Sequence, residues 1–241
     1  MHIDVYINAI LLLRCLLDLY TGICYILYIT TVVSFKTSNC LFFVLVVEEA
    51  ADIEELRKHA VNVTIDCQRV NPNLKVSHGG KSVKHAPDYK HTGEAFPYKL
   101  CAFGAQRFSS RRHYWEVELA VPPNPSKNYW LIGVTKEGNL NARDRSALTP
   151  SNGFWFLCSD GPNGFHINTT PSVKLSLTPR PERLGVLLNY DGGQLSFYNV
   201  TERKHLLTIT FTFTFIHLAD AFIQSDLQLL YMSEVARLWS N

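Results

Sequence analysis

This 241-residue chain predicts an all-β fold: a two-layer antiparallel β-sandwich, preceded by a short helix and a hydrophobic N-terminal segment. Three observations carry that expectation. From Val61 onward, short runs rich in β-branched and aromatic residues alternate with Gly, Pro and Asn clusters, the punctuation of strands and turns. No sustained helical period interrupts those runs, so sheets must pack on sheets. The clearest run is HLLTITFTFTF, in which Leu207, Ile209, Phe211, Phe213 and Phe215 share one face while Thr208, Thr210, Thr212 and Thr214 share the other. A strand with that period has one face in a core and one in water.

The first element is different in kind. Between Val5 and Val47 the chain is almost unbroken Ile, Leu, Val, Tyr, Phe and Cys, interrupted by Arg14, Asp18 and Lys36. Its longest uncharged run, Leu19 to Phe35, is close to the shortest helix that spans a bilayer core of roughly 30 Å. Residues 1–47 therefore admit three readings: a membrane anchor through residues 19–35, a buried hydrophobic element, or sequence that is not native coding. A secretory signal fits poorly, because MHIDVYINAI lacks a basic start. Residues 48–60 follow as a linker helix, with Ile53, Leu56 and Ala60 at helical spacing and Glu54 placed four residues before Lys58. Its expected setting is solvent.

The remaining elements are strands, expected over 63–67, 74–77, 100–104, 114–121, 129–135, 154–159, 173–177, 184–190, 195–200, 206–215 and 227–232. Turn signals at Asn71, His78, Pro122, Ser159 and Asp191 separate them. One strand holds the sequence's most suggestive chemistry, FSSRRHYWEVEL. Glu116 and Glu118 stand two residues apart, roughly 6.6 Å along a strand, a separation that suits a glycosidase carboxylate pair. His113 lies within reach of them. The same period puts Trp115, Val117 and Leu119 on one face and Tyr114, Glu116 and Glu118 on the other, which makes the glutamates the wet side of an ordinary strand.

Read in order, VTIDCQRVNPNLKVSHGGKSVKH, FSSRRHYWEVEL and RLGVLLNYDGGQLSFYNV resemble the three landmarks of a PRY–SPRY (B30.2/SPRY) module, with YWLIGVT and LTPSNGFWFL between them. The resemblance runs from about Val61 to Met232. Cys67 stands where the family usually has proline, and FIHLADAFIQSDLQLLYM lacks the family's Pro-Phe-Phe. Such modules form the C-terminal part of butyrophilins and of tripartite-motif ubiquitin ligases. The resemblance implies a concanavalin-like SPRY sandwich, with a PRY part at 61–112 and a SPRY part at 113–236. It also implies a non-catalytic module that binds a protein ligand through the loops at one end, with Trp115, Trp130 and Trp155 in the core.

The candidate loops are 85–98, 121–128, 136–151 and 160–171. Within or beside them Tyr98, Lys99, Arg143, Arg145, Asp160, Phe165 and His166 are candidate ligand-binding residues, being aromatic and charged anchors of the kind that dominate interfaces. The implied setting is a butyrophilin-like membrane protein with an immune-related role and a cytosolic SPRY domain. The alternative is a cytoplasmic substrate-recognition fragment of a tripartite-motif ligase or innate-immune receptor. A glycosidase-like hydrolase is the third reading.

Composition excludes other classes. A net charge of +2 with no basic block gives no footprint for nucleic acid. Cys15, Cys24, Cys40, Cys67, Cys101 and Cys158 form no C-x-x-C pair, so no metal site or cofactor is expected, and scattered thiols suit a reducing compartment. There is no nucleophile elbow, P-loop, dinucleotide fingerprint or H-E-x-x-H. Sequons at Asn62, Asn168 and Asn199 are usable only in a secretory lumen and are expected to carry no sugar.

Overall fold

Side chains dictate the architecture seen in a computed structural model of the chain, which describes residues 29–37, 40–47, 49–87, 102–119, 129–136, 148–161, 164–169, 172–211, 227–233 and 235–238. In chain order the elements are β1 (Ile29–Thr37), β2 (Cys40–Val47), β3 (Glu49–Ala50), α1 (Ile53–Arg57), β4 (Ile65–Val70), β5 (Leu74–Ser77), β6 (Ser82–His85), β7 (Ala102–Phe108) and β8 (Arg112–Glu118). They continue with β9 (Tyr129–Lys136), a 3-10 turn (Pro150–Asn152), β10 (Phe154–Asp160), β11 (Phe165–Ile167), β12 (Val173–Leu175), β13 (Arg183–Asn189), β14 (Gln194–Asn199), β15 (Lys204–Phe211), β16 (Leu227–Ser233) and β17 (Val235–Leu238).

Two antiparallel sheets result. The first runs β1-β2-β15-β14-β13-β8-β17-β6-β5, with β3 also on β15; the second runs β12-β11-β10-β9-β16-β7-β4. The segment expected as the PRY part thus enters both layers, extending the first sheet through β6 and β5 and the second through β7 and β4. Between the layers lies an apolar core in which Trp115, Trp130 and Trp155 are all buried. Aromatic rings bridge the sheets: Trp155 on β10 stacks on Phe211 of β15 at 5.0 Å, and Phe108 on β7 stacks on Trp115 of β8 at 5.8 Å. Gly133 lets β9 and β10 approach, since a Cβ there would stand 2.0 Å from the Trp155 carbonyl oxygen.

Leu207, Ile209 and Phe211 face the core as the alternation requires, and residues 212–215 lie outside the described residues. Three short strands depart from expectation. β6, β11 and β17 each hold only three or four residues, too few to show a period, and neighbouring strands impose them. The N-terminal segment departs more. Residues 29–37 pair with 40–47 as a hairpin, and β2 then pairs with β15, Phe42 opposite Phe211 and Leu45 opposite Thr208. The expected anchor through 19–35 is therefore extended from Ile29 on, in keeping with the β-branched run ITTVV; residues 19–28 lie outside the described residues. Among the described residues, no helix is long and apolar enough to cross a membrane.

The expectation of a solvated linker helix also needs correction. Asp52 caps α1, its carboxylate accepting from the backbone N–H groups of Glu54 and Glu55. Ile53 is buried, and the chain after the helix bonds directly to β8, with Val61 N–H donating to the Tyr114 carbonyl at 2.9 Å and Tyr114 N–H to His59 at 2.8 Å. The helix belongs to the domain.

An open edge at β15 would be costly. Deleting residues 1–47 is accordingly expected to lower the thermal midpoint. A shift from pellet to supernatant on deletion, with the midpoint unchanged, would identify the segment as an anchor instead.

Candidate functional site

The carboxylates of the β8 stretch are the first place to look for chemistry. Glu116 does not face water: its side chain is 0% exposed. Arg57 from α1 grips it from both sides, Nε donating to Oε1 at 2.9 Å and Nη2 to Oε2 at 3.3 Å. The Tyr114 hydroxyl donates to Oε1 at 3.0 Å, and Arg183 Nη1 stands 3.5 Å from Oε2. Arg183 also donates to Glu118 at 2.8 Å. The expectation that both glutamates are the wet side of the strand fails because α1 covers this face and brings its own guanidinium. His113 is on the other face, stacked on Phe108 at 4.4 Å with Nε2 2.6 Å from the Ser110 carbonyl. It is no partner to Glu116.

The electrostatics agree with a brace. Burial first, and the Glu116 charge second, push the Tyr114 phenol well above its ordinary range. The hydrogen bond to Glu116 holds Arg57 more firmly protonated. Three hydrogen bonds and a further ion pair hold the carboxylate inside the protein, with Oε1 accepting twice. Gly185 on β13 completes the fit, because a Cβ there would stand 2.5 Å from the Tyr114 hydroxyl.

A second apolar cluster lies outside the sandwich core. On β10, Trp155 and Leu157 point into the sandwich, while Phe154, Phe156 and Cys158 point out. An outward sheet face is ordinarily polar. Here these three join Phe103, Leu131 and Leu148 in a small core of their own, each side chain buried within the chain. Asp160 ends β10 at its rim, half-buried. His166 stands beside Cys158 in register, and its Nε2 is enclosed without a hydrogen-bond partner among the described residues.

Of the candidate residues, Asp160 and His166 therefore border this cluster. Phe165 instead is core, 3% exposed, against Trp130 at 5.8 Å and under the Arg180 guanidinium at 5.0 Å. Tyr98, Lys99, Arg143 and Arg145 lie outside the described residues. Their segments leave the second sheet at opposite ends: Lys136 pairs beside Leu227 and Phe108, where β7 finishes, while Tyr129 pairs with Asp160 at the end where β7 begins. Arg180 carried no sequence signal, yet it donates to Ser159 Oγ at 2.9 Å and to the Gly161 carbonyl, fixing the turn after β10. The cluster itself was detectable: FWFLC shows no alternation, as a strand apolar on both faces must.

Among the described residues, no three His, Cys, Asp or Glu side chains gather as metal ligands. Two sequons have their amides engaged internally. Asn199 is buried and accepts from Glu202 N–H, and Asn168 is held by main chain on three sides.

Comparison with known proteins adds to this geometry. Residues 112–223 match the SPRY domain. The chain is 35% identical over 158 residues to Butyrophilin subfamily 1 member A1 of Bos taurus, covering 63% of this chain and 28% of that protein. It is 34% identical over 173 residues to Zinc finger protein RFP of Homo sapiens, covering 70% and 31%. Against "Nuclear factor 7, ovary" of Xenopus laevis it is 34% identical over 153 residues, covering 62% and 24%. The chain thus spans about a quarter to a third of these relatives' length. The solved TRIM65 PSpry domain superposes with a TM-score of 0.59 at 20% identity, over 78% of this chain and 98% of that one, a likeness of fold.

Two outcomes follow from the brace. Replacing Glu116 by Ala removes the buried partner shared by Arg57, Arg183 and Tyr114 and should cost about 3 kcal/mol in urea unfolding, whereas Glu118→Ala, at a more exposed pair, should cost under ~1 kcal/mol. Equal losses would contradict the assignment.

The second concerns pH. Tyr114 and Tyr198 both hold their protons more tightly folded than unfolded, chiefly through burial. Above about pH 10, the ordinary tyrosine value, the unfolded chain ionises first, so stability should fall with rising pH from there. Tyrosinate absorbance should then rise in step with unfolding.

Proposed function

Because the chain carries a SPRY domain over residues 112–223, we propose that it is a non-catalytic recognition module that holds a protein ligand through the loops of its second sheet. The observation that carries this reading is the buried cluster of Phe103, Leu131, Leu148, Phe154, Phe156 and Cys158, a second core outside the sandwich that gives those loops a rigid base. Asp160 and His166 stand at its margin on strands. Loops on such a scaffold choose the partner. Arg143, Arg145, Tyr98 and Lys99 are the loop residues proposed to do so.

The likeness to a butyrophilin supports a membrane-protein setting with an immune-related role. The likeness to Zinc finger protein RFP and to the TRIM65 PSpry domain supports the alternative, the substrate-reading part of a ubiquitin ligase. Both settings put the domain on the cytosolic side. The free thiol at Cys67, and the internal use of the Asn168 amide, support that placement.

Affinity capture from cell lysate with the whole chain as bait tests the surface. Asp160→Arg, and separately the pair Arg143→Glu with Arg145→Glu, should each lose partners that the unaltered chain captures. If both variants retain every partner while Lys75→Glu, on the exposed β5 edge of the other sheet, loses them, the assigned surface is wrong.

A further inference from the structure

We propose that Asn168 is a positioning residue of the second apolar cluster: its side-chain amide takes the place of a strand and sets Leu148 against Phe154 and Phe156. This rests on the reading of that buried cluster as the base of the binding loops. β11 stops at Ile167, opposite Leu157. The edge of β10 nevertheless continues toward Phe154, and its peptide groups there need partners. Asn168 Oδ1 accepts from the Phe156 N–H at 3.0 Å, and Nδ2 donates to the Phe154 carbonyl at 2.8 Å. An asparagine amide has the donor and acceptor of a peptide group, and here it extends the ladder after the main chain has turned away.

The second Nδ2 hydrogen goes to the Leu148 carbonyl at 3.0 Å. Leu148 stands two residues before the 3-10 turn that feeds β10, and its side chain is buried with Phe154 and Phe156. One amide thus joins three separate points of main chain. Asp in its place would keep the acceptor for Phe156 but would set a carboxylate against two carbonyl oxygens. The same bonds explain why the sequon at 168 is unavailable in the folded chain: both amide hydrogens are committed, and a glycan needs one of those positions.

Hydrogen exchange on the whole chain, read residue by residue, tests the assignment. In Asn168→Ala the amides of Phe156, Phe154 and Gly153 should exchange about tenfold faster, the change expected on losing hydrogen bonds of ordinary strength. Amides of β13 and β14 should keep their rates. In Asn168→Asp the Phe156 amide should stay protected while Phe154 and Gly153 quicken. Uniform acceleration across the domain, or unchanged exchange at Phe156 in Asn168→Ala, would overturn the proposal. Should Asn168→Ala not fold, Asn168→Asp alone decides it through the contrast between Phe156 and Gly153. No ligand is needed, so partner capture that survives in a folded variant with quickened exchange would count against the binding loops and not against the positioning role.

Discussion

A carboxylate sealed from water must be matched charge for charge, and Glu116 is the point where this domain meets that requirement. Desolvating an unpaired carboxylate costs several kcal/mol. The chain answers with a guanidinium from a helix nearly sixty residues upstream, a second from the neighbouring strand, and a buried phenol. Once that set is fixed, much else is constrained. α1 must lie over β8, the chain leaving it must run beside Tyr114, and β13 must carry a glycine where the Tyr114 ring crosses it. The brace explains why a helix of five residues, far too short to persist alone, has a defined place.

The two outward faces of the sandwich are thereby used differently. On the first sheet, α1 and its ion pairs close the surface, and the charges there are consumed in holding the fold. On the second sheet the outward side chains of β10 are apolar and buried within the chain, with Asp160 and His166 at their margin. Ion pairs thus close one outward face and apolar packing the other, with the aromatic stack of Trp155 on Phe211 tying the layers together.

Much of this was legible in the sequence, and the gaps have physical causes. Strands whose side chains alternate showed their period, so β8 and β15 could be placed closely. Trp115, Trp130 and Trp155 declared the core through their size. Alternation says only which side chains share a face, however, not what covers that face; this is why Glu116 looked solvated until α1 was seen upon it. Phe165 looked like a loop anchor because β11 is too short to show a pattern, and its burial depends on Arg180 and Trp130, distant in sequence. Asn168 looked like a sequon, and only the termination of β11 beside β10 reveals its amide as a structural link. The hydrophobicity of the N-terminal segment was plain, but hydropathy alone does not distinguish a helix for a bilayer from a hairpin for a sheet edge.

A double-mutant cycle between Arg57 and Glu116, followed by urea unfolding, addresses the central claim most directly. Removal of each side chain singly and then together isolates their coupling from the rest of the domain. The account predicts a coupling of about 2 kcal/mol or more, as for other buried charge pairs whose partners are left stranded. A coupling below ~0.5 kcal/mol, the size of an exposed helix pair, would mean that the helix is held by something else and that Glu116 is free for another role.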